Sequence, residues 1–462
     1  MLPVALKQTG FATGVIRKMK RTTYALLVTA VALAVAVVVS CGKQPSTASK
    51  ELEVACFKGG YGIDFFEQAA REYERSHPGV KIKVWGNPRV WEQLRPRFVA
   101  GNPPDLTYPG WGMDHWALVY EGQVIPLDEY LDTPPYGKTE GKWRDTFEPS
   151  LLELCQYQGK TYMLPYFFSM LGWWYNKEMF EQNGWKPPRT WSELLNLCEK
   201  IKAKGIAPIT YQGIYPAYAV SGFLIPWVIS AGGIEAFDNA QNLVPGAWKS
   251  PAFLKAAQMM DELRRRGYFQ EGANGMDHTG AQMEFLSGRA AMIPCGTWLH
   301  SEMRNVMPKG FRMGFMLPPI LDGGKGDPTA VGIGIEPWMV PTKGKNRELA
   351  IDFYKYMTSL EKAKQFVEAK GTLMSIRGSD QANFPEHLKE PVEVFRNAKT
   401  VWSVEYRQWY PKLGKAVEDA TAALLAGDIT PQQFVERLEQ AAEATRQDKN
   451  IPKHTYTRGK AR

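Results

Sequence analysis

From residue 51 onward, apolar and polar positions recur with two alternating periods. Residues 52–57 form a short apolar run with strand character, closed by the flexible turn Lys58-Gly59-Gly60-Tyr61-Gly62. Ile63, Phe66, Ala70 and Tyr73 then recur at helical spacing as far as Ser76, where His77-Pro78-Gly79 stops the helix. Val80, Ile82 and Val84 alternate with Lys81 and Lys83, the two-residue period of a strand. An aromatic helix is predicted over residues 91–100, and Asn102-Pro103-Pro104 turns into a further strand at 105–108. Strands alternating with helices imply a mostly parallel sheet covered on both faces. Ligands of such sheets lie beyond the carboxyl ends of the strands, which directs attention to residues 58–62 and 109–114.

The middle of the chain changes character. Tyr157-Gln158-Gly159-Lys160 reads as a tight turn between strands, and residues 161–175 as an extended aromatic stretch holding Tyr166, Phe167, Phe168, Trp173, Trp174 and Tyr175. Helical signals then return. Thr190-Trp191-Ser192-Glu193 is predicted to be a capping box opening a helix over 194–204, the threonine accepting a backbone N–H and the glutamate reaching back. Thr430-Pro431-Gln432-Gln433 repeats the device before a helix with Phe434, Leu438, Ala441 and Thr445 on one face. The basic tail from Lys449 is expected to fray.

The N-terminus has a different logic. A basic patch, Lys18 to Arg21, precedes an apolar run over 25–39 that ends at Val38-Val39-Ser40-Cys41. That is the layout of a secretory signal peptide, and the run is short for a membrane span of about 20 residues. Ser40 before Cys41 resembles the lipobox of bacterial lipoproteins, so residues 1–40 are expected to be removed and Cys41 lipidated. Met19-Lys20-Arg21 would itself open a leader of normal length, leaving residues 1–18 surplus. Residues 41–50 have the composition of a tether. The leader also dissolves an apparent charge signal. Of the net +8, five charges come from Lys7, Arg17, Lys18, Lys20 and Arg21, with no acid before residue 41, leaving +3 for the body. That balance argues against a nucleic-acid partner. Cys56, Cys155, Cys198 and Cys295 are too widely spaced for a zinc knuckle. Export would permit disulfides, but the spacing reads better as small buried hydrophobes.

Catalytic signatures are missing. No two of the six histidines stand at H-x-x-x-H spacing, and neither a phosphate-binding G-x-x-x-x-G-K-[ST] loop nor a G-x-S-x-G elbow occurs. No metal or cofactor is expected. What stands out is aromatic excess: 15 Trp, 20 Tyr and 21 Phe. Sugar rings stack their axial C–H faces on indoles and phenols, while their hydroxyls need planar, multidentate polar partners. Tyr61, Trp111, Trp298 and the turn Tyr211-Gln212-Gly213-Ile214-Tyr215 sit at predicted loop or strand ends beside Gly and Pro, where core packing explains them less well.

The order of motifs over residues 52–445 resembles family 1 extracellular solute-binding proteins, the carbohydrate receptors of ABC importers. The matching pieces include Gly101-Asn102-Pro103-Pro104-Asp105-Leu106, Tyr157-Gln158-Gly159-Lys160-Thr161-Tyr162, Pro188-Arg189-Thr190-Trp191-Ser192-Glu193-Leu194 and Gly288-Arg289-Ala290-Ala291-Met292 with Gly296-Thr297-Trp298. Phe57-Lys58-Gly59-Gly60-Tyr61-Gly62, Leu94-Arg95-Pro96-Arg97-Phe98 and Ile293-Pro294-Cys295-Gly296-Thr297-Trp298 look like the N-acetylglucosamine/diacetylchitobiose-binding subgroup. The resemblance implies an α/β, two-lobe, periplasmic-binding-protein-like fold with crossing hinge strands and an interlobe ligand cleft. One lobe would comprise residues 51–164 plus 297–358 and the other 165–296 plus 359–455, with crossings near Pro165, at 293–296 and near Thr358. It implies a monomeric receptor, lipid-anchored outside the cytoplasm, that closes on a mono- or oligosaccharide and delivers it to ABC permease subunits; a secreted glycosidase is the competing class. The candidate ligand contacts are Lys58, Tyr61, Trp111, Tyr166, Trp174, Tyr211, Gln212, Tyr215, Trp298 and Glu336. Trp298 occupies the family's recurring stacking position.

Overall fold

The computed structural model describes residues 50–456; the leader, Cys41 and most of the tether lie outside the described residues. The chain opens with the strand Lys50–Phe57, which is flanked on both sides by parallel partners, Val80–Asn87 and Leu106–Tyr108. As the central strand it buries both of its faces, with Leu52, Val54, Ala55 and Cys56 all inaccessible. Val80–Asn87 lies at the edge and turns Lys81 and Lys83 outward, which blunts an otherwise pairable edge. The helix Asp64–Ser76 covers the sheet with Phe65, Phe66, Ala69, Ala70 and Tyr73, and ends where Gly79 adopts φ +89°.

The second sheet departs from the parallel expectation. Its spine is the strand Leu164–Asn176, nearly all buried, which pairs antiparallel with Val331–Trp338, Ala290–Gly296, Met313–Met316 and Leu373–Met374. Parallel pairing survives only at the flanks, through Ala207–Ile209 and Val401–Trp402. The physical reason is that the chain crosses and returns: strands of opposite travel laid side by side must pair antiparallel. Val331–Trp338 also links the two sheets, because Met339 beyond it exchanges backbone hydrogen bonds with Thr107 of the first sheet at 2.9 and 3.0 Å.

The hydrophobic cores join distant parts of the chain. Trp338, Phe353 and Tyr354, and then Ala363, Phe366 and Val367 of the helix Leu360–Lys370, share one hydrophobic core with Leu52, Phe66 and Leu106. Leu299, Met303 and Phe315 pack instead with Phe285 and Ile293 around the second sheet. Thr358 is a buried helix end bonded to the Trp143 indole at 3.1 Å.

Local signals behaved unequally. Thr430 and Gln433 form the full reciprocal capping box. At Thr190 only half forms: its hydroxyl accepts from the Glu193 amide, but the Glu193 carboxylate accepts from Arg189 at 2.7 Å instead of from the Thr190 N–H. Gln158 and Gly159 both take positive φ in the hairpin turn, as that turn requires. The tail does not fray by Lys449. Asn242 holds the backbone of Tyr456 by two hydrogen bonds, and His454 stacks on Trp409 at 4.6 Å. The four cysteines are free and buried.

Candidate functional site

A cavity of about 590 Å³, within the range of small-molecule sites, opens between the two sheets. Its walls are strand ends and the loops that follow them. The turn after Lys50–Phe57 supplies Lys58, Gly59, Gly60 and Tyr61. At Gly60 the two walls meet closely: a Cβ would stand 2.7 Å from Cγ of Glu302 and would have to push that side chain aside. The Tyr61 ring packs edge-on against Phe167 at 5.2 Å, and its hydroxyl is buried beside the Thr372 and Ser169 side chains. Burial pushes that phenol up to about 12. The loop after Leu106–Tyr108 supplies Trp111, 54% exposed and propped on Trp91 at 5.1 Å; Gly110, at φ +71°, makes the bend against the Phe57 ring.

The floor is the pair of crossing strands. Leu164–Asn176 contributes Phe167, Ser169 and Leu171, and Val331–Trp338 contributes Glu336. Desolvation raises the Glu336 carboxyl to about 7, offset in part by a hydrogen bond from the Tyr108 hydroxyl. The far wall begins where Ala290–Gly296 ends, with Trp298 and Glu302, and continues through Tyr215, Tyr218 and the π-helical turn Val220–Leu224. Such wide turns recur at functional sites because the extra residue bulges a backbone segment outward. Burial also raises Glu302, whose carboxylate accepts from Gln282 at 2.9 Å. At the other end lie His115, Ser403, Glu405 and Gln408. Glu405, accepting from Ser403 at 2.6 Å, is raised to about 7, and burial holds His115 down at about 4.

Six sequence-predicted contacts therefore share one cavity: Lys58, Tyr61, Trp111, Tyr215, Trp298 and Glu336. The other four do not line it. Tyr166 is wholly buried among Phe66, Trp338 and Tyr354. Trp174 packs on Phe315 and donates to the Gly296 carbonyl at 3.1 Å. The Tyr211 hydroxyl bonds the Asn274 side chain, and Gln212 donates to the Pro294 carbonyl at 3.1 Å, bracing the strand that carries Trp298. In an alternating strand, neighbouring side chains face opposite sides, so aromatic content alone could not separate floor from core. Tyr108, Tyr218, Glu302 and Glu405 are lining residues that the sequence reading missed. Tyr108 could have been found as the last residue of a predicted parallel strand; Glu405 carries no local signal. Among the described residues no three His, Cys, Asp or Glu side chains converge as a metal site.

The family model for bacterial extracellular solute-binding proteins matches residues 59–364. The diacetylchitobiose binding protein NgcE of Streptomyces coelicolor is 28% identical over 420 residues, 88% of this chain and 87% of its own length. The multiple sugar-binding protein of Streptococcus mutans is 25% identical over 359 residues, 73% and 79% of the two chains. Among solved structures, a chitin oligosaccharide binding protein superposes with a TM-score of 0.68 at 24% identity, covering 83% of this chain and 94% of that one. The apo form of RafE from Streptococcus pneumoniae gives 0.69 at 24% identity, covering 87% and 99%. The fold is the two-lobe α/β fold of that class.

Proposed function

This chain belongs to the bacterial extracellular solute-binding protein family, receptors rather than enzymes, and we propose that it captures N-acetylglucosamine or its short β-linked oligomers for an ABC permease. The observation that carries the reading is the cavity itself. Flat rings of Trp111, Tyr215 and Trp298 stand around a space edged by Glu302, Glu336, Ser169 and Glu405, the mixture of stacking faces and hydrogen-bonding groups that a pyranose needs. The choice of sugar is supported by the relative from Streptomyces coelicolor, which extends over most of both chains. In this reading the open cleft takes the sugar against one lobe, and bending at the crossing strands brings the other lobe onto it. A lipid on Cys41 tethers the receptor to the outer face of the cell membrane, within reach of the permease.

Isothermal titration of the purified protein with N-acetylglucosamine, diacetylchitobiose, glucose and maltose tests the assignment. An acetamido group offers one donor, one acceptor and a methyl, and a site built for it is left with unpaired polar groups when the group is missing. Diacetylchitobiose is expected to bind most tightly. Tight binding of maltose with no response to either acetylated sugar would overturn the ligand while leaving the family membership intact.

A further inference from the structure

Among the described residues, neither of the two carboxylates around Tyr61, Glu302 and Glu336, is held in an ion pair with a Lys, Arg or His nitrogen. Their protein donors are neutral: the Gln282 amide for Glu302 and the Tyr108 phenol for Glu336. Other cations near the site are committed elsewhere or peripheral. Lys370 pairs with Asp64, Arg407 pairs with Glu418 at 2.6 Å, and Lys58 stands exposed at the rim. His278 lies on the Glu302 side, near enough for its charge to favour the carboxylate without an ion pair, and its ring is tilted against Tyr215 at 5.8 Å. Tyr61 lies within electrostatic reach of both acids, its hydroxyl buried beside the Ser169 and Thr372 side chains.

Half-buried carboxylates without an ion-pair partner carry a desolvation cost, and the cost is relieved when a cation arrives with donors of its own. A neutral sugar hydroxyl brings one donor. A protonated amine brings three and a full charge, and it is also attracted to the aromatic faces that line the same corner. The carbonyl oxygen of an acetamide, placed in that corner, brings no charge and meets two acceptors whenever both carboxyls are ionised. Building on the chitooligosaccharide reading above, we propose that the corner formed by Tyr61, Tyr108, Trp298, Glu302 and Glu336 receives a free, protonated amine, so that the preferred ligand is a partly deacetylated chitooligosaccharide carrying a glucosamine unit.

The test is titration calorimetry on the full chain with three disaccharides at neutral pH: diacetylchitobiose, the mono-acetylated form and the fully deacetylated form. The mono-acetylated form is expected to bind roughly tenfold more tightly than diacetylchitobiose, with an advantage that shrinks as salt is raised. Glu302→Gln and Glu336→Gln should each bring the ratio of the two affinities toward one, and the ratio is the readout, whatever happens to either affinity alone. Diacetylchitobiose binding as well as or better than both amines would overturn the inference and leave the ligand reading standing. Failure of all three disaccharides, with another sugar binding, would overturn both.

Discussion

A methyl group added at Gly296 should cost ligand affinity without touching the ligand. Gly296 ends the strand Ala290–Gly296, opposite Leu171, and its φ is not positive, so alanine suits the backbone there. The added carbon, however, would stand 1.9 Å from Cζ3 of the Trp298 indole. Non-bonded carbons need about 3.5–4.0 Å, so the indole must retreat by on the order of 1.5 Å. It has somewhere to go, because Trp298 lines the cavity, and the unliganded fold should lose about 1–3 kcal/mol. The displaced ring then no longer offers its face to a sugar. That contact is worth on the order of 1–3 kcal/mol, which corresponds to a loss of roughly 5- to 150-fold in affinity. Trp298→Ala should lose a similar amount by removing the face outright. The decisive measurement is the double variant. Because the methyl acts only through the indole, Gly296→Ala with Trp298→Ala should bind no worse than Trp298→Ala alone. Wild-type affinity in Gly296→Ala, or losses that add in the double variant, would refute the reasoning. A drop of about 3–5 kcal/mol in the stability of unliganded Trp298→Ala would make the indole a core residue instead.

Three further outcomes follow from the same structure. Trp174→Ala removes a fully buried indole together with its hydrogen bond to Gly296, and chemical denaturation should show a loss of about 3–5 kcal/mol, in contrast to Trp298→Ala. Glu336 is raised to about 7 in the fold against an ordinary carboxylate value near 4.3 when unfolded, so between those values the native state binds the extra proton and stability falls as pH rises. Glu336→Gln removes that loss. Its melting temperature relative to wild type should therefore climb between pH 5 and pH 8, and parallel curves would contradict the assignment. Cys41→Ala should release the protein from membranes into the extracytoplasmic soluble fraction; a variant still membrane-bound and uncleaved would argue for an uncleaved anchor.

The sequence by itself determined what depends on neighbours along the chain. Periodicity located the strand Lys50–Phe57, the helix Asp64–Ser76 and the edge strand Val80–Asn87, because a half-buried helix or strand writes its exposure pattern directly into residue spacing. Turn chemistry located the hairpin at Gln158-Gly159, where two successive positive φ values are required. Strand-end logic pointed to the loops bearing Tyr61 and Trp111, since the carboxyl ends of parallel strands must open somewhere. Tertiary structure decided the rest. Trp174 and Trp298 are both tryptophans beside glycine in apolar surroundings, yet one lies in the core and the other faces the cavity; that difference depends on which sheet face is covered, which is a property of partners more than a hundred residues away. The half-formed cap at Thr190 shows the same limit on a smaller scale, with the Glu193 carboxylate taken by the Arg189 amide. Glu302 and Glu336 are unremarkable acids in the chain, and they acquire their chemistry only when the fold brings them to Tyr61 and partly desolvates both.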